Sequence, residues 1–387
     1  MMVFGIMTAL AAVLVVQRLF YQWFWDRGLE AKLYFQGKRL WEGEQGELVE
    51  VVENRKFLPL AVLHVNVQVD RSFLFFDDAQ TAVSDQAYRR DIFALLPWQR
   101  ITRTLPFTAS KRGYYQCKQV ELVGRDLFFE GPYVKKQEQK EALYVYPRKI
   151  SPEPVQAACS KMQGEFWNRY SLFEDPLSFS GIRDYEPKDS FRQINWKAFA
   201  RAGSLKVNVY EHAAMIKGEI LLNLKEETAW TEEVLLESVI RLGAAAAGQW
   251  INQGIPTSIY TNGPDVVTGE AVQVEEGAGA EHMETVLKAL SRIGIKADRK
   301  WKEGQEEKAD HCLWQCLAGK RWRNSMILYL SVSCRREDVA RLEALRQKGA
   351  VVLWILPYTM EQETNGEVPD PASAGYGGEV RYWRAEE

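Results

Sequence analysis

The chain has 387 residues, of which 46% are apolar and 26% are charged. These values are typical of folded globular proteins and exclude a wholly disordered or collagen-like chain. Because a domain commonly holds about 100–200 residues, we expect two or three folded units. The 49 basic and 52 acidic residues nearly cancel, leaving a net charge of −3. This balance removes the global electrostatic argument for a nucleic-acid-binding protein.

Residues 1–16 carry no charged side chain. A helix of this length covers about 24 Å, and the next apolar residues extend it toward the ~30 Å hydrocarbon core of a bilayer. Tyr21, Trp23, Phe24 and Trp25 then resemble an aromatic belt at a membrane interface. The basic start and small-residue cleavage site of a signal peptide are missing. Residues 1–25 are therefore predicted to be an uncleaved transmembrane anchor in contact with lipid; a cleaved signal and a buried helix are the alternatives.

The charges that flank this span predict its orientation. The basic side chains near it all follow it, at Arg18, Arg27, Lys32, Lys38 and Arg39, which predicts an outside N-terminus and a cytoplasmic bulk. The five cysteines are odd in number and scattered, as expected for a reducing compartment. We expect a single-pass protein of the cell membrane.

Residues 29–150 contain short apolar or alternating runs separated by turn residues, a pattern typical of β-strands. They predict a β-sandwich-like domain with a structural or docking role. The predicted strands are 47–52, 60–69, 102–107, 119–123 and 142–146.

Residues 212–358 alternate between apolar strands and amphipathic helices. The predicted strands are 219–224, 256–261, 326–332 and 350–356, and the predicted helices carry the apolar residues of 235–250, 283–290 and 339–345. Thr231 is the expected N-cap of the first helix. This alternation predicts a doubly wound, mostly parallel, Rossmann-like α/β sheet. Residues 359–387 are predicted to be a flexible tail, with 380–383 able to return as an edge strand.

Residues 151–211, predicted to be a connecting segment, contain a dense run of charged and aromatic residues from position 181. Arginines alternate with acids there, which favours an ordered network of ion pairs and cation–π contacts over a solvated face. A phosphate or nucleic-acid patch is the other alternative, disfavoured because the acids nearly neutralise the segment. The spacing fits G-x-R-x-Y-x-x-G-D-x-x-R-x-I-x-W-x-x-x-A-R, with Lys188 in place of the inner glycine. The matching residues are Gly181, Arg183, Tyr185, Asp189, Arg192, Ile194, Trp196, Ala200 and Arg201.

This pattern resembles the hallmark of the bacterial "domain of unknown function 58" family. The resemblance extends to the N-terminal membrane segment, to Arg112-Gly113-Tyr114 and Tyr146-Pro147-Arg148 in the β-rich stretch, and to the α/β region. It implies a von Willebrand factor A-like C-terminal region and a partner that is a MoxR-type AAA+ ATPase, sometimes with a transglutaminase-like membrane protein. The implied role is a non-enzymatic adaptor or assembly factor for envelope or other protein complexes.

The resemblance also directs attention to a metal loop. A von Willebrand A domain binds Mg²⁺ through an Asp-x-Ser-x-Ser loop after its first strand, and the corresponding positions here are Asn223, Lys225 and Glu227. An amide and an ammonium replace the carboxylate and a hydroxyl that a hard cation requires. We therefore expect neither a metal nor a cofactor at this degenerate loop.

Other chemical motifs are weak. His311, Cys312 and Cys316 lack a fourth adjacent ligand for zinc, so a partly buried thiol pair is expected. The chain has no G-x-x-x-x-G-K-[ST] motif and no strand-linked G-x-G-x-x-G motif, so the ATPase partner would supply the nucleotide site.

Three hypotheses stay open at this point. The first is the adaptor, with no catalytic residue and with signature arginines that are either buried braces or part of a docking surface. The second is a metal-dependent von Willebrand A-type binding module. The third is an enzyme of unrecognised type that uses Asp184, Glu186 and Asp189 as acid and base groups.

Overall fold

In the computed structural model the chain divides into two units, Met1–Arg148 and Lys149–Glu387. The structure describes residues 2–75, 81–83, 87–125, 132–170, 179–187, 189–191, 194–210, 216–226, 232–295, 309–310, 313–314 and 325–385. The chain is multidomain, with an apolar N-terminal helix, a β-rich unit and an α/β unit.

The first element is helix α1, Met2–Phe24. Its stretch Phe4–Phe24 is long and apolar enough to cross a membrane, and only 6% of it is buried. An N-terminal signal sequence would have the same composition. Helix Glu233–Asn252 meets the same criterion but is 67% buried, because it is a core helix of the second unit.

The first unit continues as strands that form two facing sheets. A four-stranded sheet has the order β1-β3-β8-β5, and a six-stranded sheet has the order β2-β10-β9-β4-β7-β6. The strands are β1 Leu29–Phe35, β2 Arg39–Trp41, β3 Gln45–Asn54, β4 Leu60–Val69, β5 Phe73–Phe75, β6 Thr81–Val83, β7 Ala87–Leu95, β8 Arg100–Ala109, β9 Gly113–Gly124 and β10 Tyr133–Tyr146.

The two sheets share one apolar core. Alternate side chains of β4, including Leu63, Val65 and Val67, pack there with Val52 of β3 and Leu122 of β9. This alternation is what a strand with one buried face requires. Each predicted strand of this region lies within an observed one, so the β-rich character follows from the sequence pattern.

The second unit opens with helix α2, Pro152–Tyr170. Its buried side chains, Val155, Ala158, Cys159, Met162 and Phe166, recur at helical spacing and pack toward α4 and β17. Residues 151–170 are thus a packed helix of the α/β unit rather than a plain connector. A small two-stranded sheet follows, formed by β11 Phe179–Asp184 and β12 Lys206–Tyr210, with helix α3 Trp196–Ala202 between them.

The main sheet of this unit has six strands in the order β15-β14-β13-β16-β17-β18. All neighbours are parallel except β14 and β15. The elements in chain order are β13 Lys217–Asn223, α4 Glu233–Asn252, β14 Thr257–Pro264, β15 Ala271–Gly277, α5 Ala280–Ser291, β16 Ser325–Ser331, α6 Arg336–Gln347, β17 Val351–Tyr358, α7 Met360–Asn365 and β18 Glu379–Arg384.

Helix α4 packs on this sheet through a tight contact. Gly218 of β13 faces the indole of Trp250, and a Cβ at Gly218 would overlap that ring. The predicted helix around 235–250 is confirmed by α4. Thr231, its expected N-cap, lies outside the described residues.

The predicted edge strand at 380–383 is confirmed by β18, at the edge of the main sheet, whereas the rest of the described C-terminal region differs from the predicted flexible tail. Thr359 and Gln362 form a capping box at the start of α7, Tyr376 is buried against Trp354, and β18 pairs in parallel with β17. The prediction of a flexible tail rested on the polar, Gly-rich composition of the segment. One buried aromatic side chain and one helix cap order the chain but hardly change that average composition.

Candidate functional site

Those residues of the family pattern that the structure describes fold into one small substructure. We call β11, the turn formed by the described residues 185–187 and 189–191, α3 and β12 the signature module. The strands β11 and β12 pair antiparallel, and buried Ile194 forms a bridge to Val207. Asn195 caps α3 by accepting from the Ala198 N–H at 2.9 Å, and Gly203 ends the helix with φ 69°.

An arginine–aspartate pair closes the turn of this module. The Arg183 guanidinium donates to both oxygens of Asp189, at 2.7 and 2.6 Å. Asp189 also accepts from the Glu186 N–H at 2.9 Å. Such bidentate geometry orients a carboxylate better than a single contact does. The ion pairing predicted for this segment is therefore present at Arg183 and Asp189.

The three candidate acid and base groups lie on this turn but do not enclose a common site. Asp184 pairs with Lys206 at 2.6 Å, and its side chain is 76% exposed. Glu186 is also exposed, at 3.9 Å from Arg183. Asp189 is held by Arg183. Each carboxylate thus has a cationic neighbour, and the geometry supplies no special support for the enzyme hypothesis.

Two aromatic pairs stand at the surface of the module. Tyr185 stacks on Phe191 at a centroid distance of 6.1 Å, and Trp196 meets Phe199 edge-on at 6.2 Å. Phe191 is 73% exposed and Trp196 is 62% exposed. Ile182 and Leu205 add further exposed apolar area.

The remaining signature residues are distributed as follows. Arg201 is exposed on the last turn of α3, and the Arg183 side chain is 43% exposed, so neither of the two is a fully buried brace. Arg192 and Lys188 lie outside the described residues. Sequence reasoning missed Phe191, although an apolar ring in a turn of charged residues was a signal that could have marked it.

The degenerate metal loop is part of a polar network at the carboxyl ends of β13 and β14. Asn223 donates to the Tyr329 hydroxyl at 2.7 Å and to Asp338 at 3.2 Å. Asn262 donates to Asn223 at 2.7 Å and to Asp310 at 2.8 Å. Among the described side chains, no group of three or more His, Cys, Asp or Glu residues is placed to hold a metal ion.

Lys225 brings a positive charge to one end of this network, with its side chain 49% exposed. Its ammonium forms an ion pair with Asp310, and Arg335 lies 3.9 Å from the same carboxylate. A cation already supplied by the chain competes with a metal for these oxygens. Glu227, the third loop position, lies outside the described residues.

Burial shapes the protonation of this network. Burial raises the pKa of Asp338, although the hydrogen bond with Tyr329 and the charge of Arg341 oppose the rise. The pKa of the Tyr329 hydroxyl lies well above its ordinary value, chiefly through burial and then through the charge of Asp338. The tyrosine is therefore neutral near pH 7 and serves as a fixed hydrogen-bonding group.

Two of the described cysteines are poorly suited to nucleophilic chemistry. Cys117 and Cys159 are buried, and burial raises their pKa values to about 11 and about 12. Thiols with such pKa values are poor nucleophiles near pH 7. His311, Cys312 and Cys316, the weak zinc candidates, lie outside the described residues.

Comparison with known proteins gives only distant likenesses. No protein-family model matches the chain, and no curated protein matches it. Solved structures include the CARDB domain of a Pyrococcus furiosus protein in complex with di-metal ions, at 13% identity and TM-score 0.19, covering 29% of this chain and 93% of that chain. A Clostridium thermocellum cohesin–dockerin complex matches at 9% identity and TM-score 0.21, covering 30% and 98%.

The sporulation control protein Spo0M of Bacillus subtilis covers more of the chain. It matches at 10% identity and TM-score 0.19, over 41% of this chain and 58% of that chain. At these scores the three likenesses carry no argument about the fold of the whole chain or about its function.

Proposed function

We propose that this protein is a non-enzymatic, membrane-anchored adaptor of the "domain of unknown function 58" type, whose signature module docks a MoxR-type AAA+ ATPase. The single observation that carries the proposal is the exposure of two aromatic side chains of the signature module, Phe191 at the end of the turn that Arg183 and Asp189 hold in place and Trp196 at the start of α3. Exposed aromatic side chains on a rigid support are the usual anchors of protein–protein interfaces.

Gly181, the first residue of the signature, also supports partner docking by this module. Gly181 does not have a positive φ, and no atom lies within 4 Å of the position that a Cβ would take. Neither the backbone conformation nor the packing of the described residues requires a glycine there. A glycine on an exposed strand permits the close approach of another backbone, so we assign it to the partner contact.

We further propose that the α/β unit is von Willebrand A-like and has lost metal binding. When the six strands of the main sheet are numbered 1 to 6 in chain order from β13, their order across the sheet is 3-2-1-4-5-6. In this doubly wound order the direction of winding reverses between β13 and β16, which is the switch point of the sheet. Ligands of such sheets bind outside the carboxyl ends of the strands at this point. Asn223 and Lys225 lie there, and the Lys225–Asp310 ion pair replaces a metal.

The remaining parts of the proposal concern the membrane and the clients. Helix α1 serves as the uncleaved single-pass anchor, with both folded units on the cytoplasmic side. The clients are envelope or other protein complexes, and a transglutaminase-like membrane protein is a further partner. The basic residues that follow the span support this orientation.

Affinity purification of the full-length protein from its native membrane in mild detergent, followed by mass spectrometry, tests the proposal. The samples are prepared with and without a non-hydrolysable ATP analogue, because AAA+ assemblies depend on nucleotide. An AAA+ ATPase among the specific partners is the expected result. Its absence under both conditions would contradict the adaptor function.

A further inference from the structure

The C-terminal end of the apolar helix α1 packs in the core of the first unit and is not joined to it by a free linker. Tyr21 and Trp25 are both buried in the core of the β-sandwich, and each ring lies 5.9 Å from the ring of Tyr133. Tyr21 belongs to the last turn of α1. The end of the helix is therefore part of the domain core.

The chain that leaves the helix is also fixed. The Lys56 ammonium donates to the carbonyl oxygen of Trp25, and the Lys135 ammonium donates to that of Asp26 at 2.9 Å. Both carbonyl groups lie just beyond the end of α1, so these two lysines fix the chain where it leaves the helix. Because no free linker intervenes, the height of the domain above a membrane is set by the depth of α1.

One loop of the domain lies beside the helix at the height of Tyr21. The Tyr21 hydroxyl donates to the carbonyl oxygen of Pro59 at 3.3 Å, in the loop 55–59 between β3 and β4. At ~1.5 Å per residue, Tyr21 lies about 29 Å along the helix from Met2, close to the ~30 Å thickness of a hydrocarbon core. The loop therefore meets the headgroup layer when α1 spans the bilayer.

A second loop, 96–99 between β7 and β8, is tied to the first. The buried Asn54 side chain donates to the carbonyl oxygens of both Leu58 and Leu96 at 3.0 Å. The Trp98 N–H donates to the carbonyl oxygen of Lys56 at 3.3 Å. The two loops consequently form one surface at the helix end of the sandwich.

This surface presents large apolar side chains to the outside. Phe57 is 79% exposed, Leu96 is 66% exposed and Trp98 is 72% exposed. Trp98 also has a φ of 59°, a backbone conformation that bulky residues rarely adopt and that concentrates at functional positions. The exposed Trp23 and Phe24 of α1 continue the same apolar character along the helix.

We propose that Phe57, Leu96 and Trp98 form a membrane-docking surface that inserts into the headgroup layer of the bilayer that α1 spans. Aromatic side chains favour this layer, where their rings leave water without entering the hydrocarbon core. Contacts at the helix and at both loops hold the sandwich in one orientation on the membrane. This inference rests on the proposed anchor function of α1.

Photo-cross-linking to lipid tests the surface. The full-length chain carries p-benzoylphenylalanine in place of Phe57 or Trp98, and is reconstituted in vesicles of phosphatidylethanolamine and phosphatidylglycerol. The same residue in place of Trp23 reports insertion of α1. Lys38 is the distal control position, because it is exposed and follows the strand β1 that leads away from the helix. Circular dichroism confirms that each variant is folded.

The expected result is lipid adducts at positions 23, 57 and 98, several-fold above those at position 38. Adducts at 23 but not at 57 or 98 would overturn the docking surface and leave the anchor intact. An absence of lipid adducts at 23 would overturn both. Adducts to protein instead of lipid at 57 and 98 would show that another chain, rather than the bilayer, covers this surface.

Discussion

Arg183 and Asp189 are joined by two hydrogen bonds of 2.7 and 2.6 Å that close the turn of the signature module. The side chain of Asp189 is only 7% exposed, whereas that of Arg183 is 43% exposed. The Arg183 side chain thus shields the Asp189 carboxylate from solvent while part of its own surface remains exposed. A structural role and a place at the proposed docking surface are compatible in the same residue.

The turn depends on the Asp189 carboxylate. Replacement Asp189→Ala removes the acceptor of the Glu186 N–H, and a net hydrogen bond contributes about 1 kcal/mol. We expect the Glu186 amide to exchange its hydrogen about fivefold faster, as measured by hydrogen exchange with mass spectrometry. The control Asp184→Ala removes an exposed carboxylate of the same module that does not contact this amide. Equal exchange in the two variants would contradict the assigned contact.

The core of the sandwich contains a carboxyl group that couples stability to pH. Glu50 is fully buried opposite Arg103, and its pKa rises from 4.5 to about 8, first through burial and then through the charge of Asp91, while Arg103 and Arg89 oppose the rise. The native protein therefore keeps a proton that the unfolded chain releases between these pH values.

The sign of the pH effect follows from this difference. The contribution of Glu50 to the stability of the first unit is greatest below about pH 4.5, falls as the pH rises to about 8 and is then level, with a total loss of at most about 5 kcal/mol. Glu50→Gln should remove this decline, as followed by thermal unfolding across the pH range. Glu47→Gln, at an exposed position of the same strand, should keep it. An unchanged decline in the Glu50 variant would show that another group titrates.

The C-terminal region should contribute to stability through Tyr376. Its ring lies 5.2 Å from that of Trp354, edge-on and buried. Tyr376→Ala should destabilise the second unit by about 3–5 kcal/mol, as a large cavity does. Tyr376→Phe should change stability little, because the hydroxyl has no hydrogen-bond partner among the described residues. Thermal unfolding that ranks the two variants equally would contradict this packing.

Replacements in the degenerate metal loop should create Mg²⁺ binding that the unmodified protein lacks. Calorimetry of the unmodified protein with Mg²⁺ should show no binding heat, because the Lys225 ammonium already neutralises Asp310. The double replacement Asn223→Asp with Lys225→Ser restores a carboxylate and a hydroxyl and should produce Mg²⁺ binding. Asn223→Asp alone keeps the ammonium and serves as the control. Binding heat from the unmodified protein would favour the metal-dependent module.

Local pattern was sufficient for much of this fold. The spacing of Leu235, Val239, Leu242, Ala246 and Trp250 identified α4, because a helix with one face on a sheet repeats its apolar residues every three or four positions. The continuous apolar runs at 219–224, 326–332 and 350–356 identified the strands β13, β16 and β17. A buried parallel strand needs apolar side chains on both faces.

Other features depended on residues far apart in the chain. Strand β15 was missed because it is an antiparallel edge strand with a largely polar face. The pairing of Lys225 with Asp310 joins a strand end to a region 85 residues away, which spacing cannot reveal. The burial of Tyr376 in a Gly- and Pro-rich region likewise depends on Trp354, which comes from another element.

The proposed docking role of the signature module is tested most directly by comparing three forms of the full-length protein purified from native membranes. These are the unmodified chain, Trp196→Ala, and Val267→Ala, which alters an exposed apolar residue outside the module. An AAA+ ATPase should accompany the unmodified chain and the Val267 variant, and its amount should fall at least about tenfold with Trp196→Ala, as for an aromatic interface anchor. Equal recovery of the ATPase with all three folded forms would contradict docking at this module.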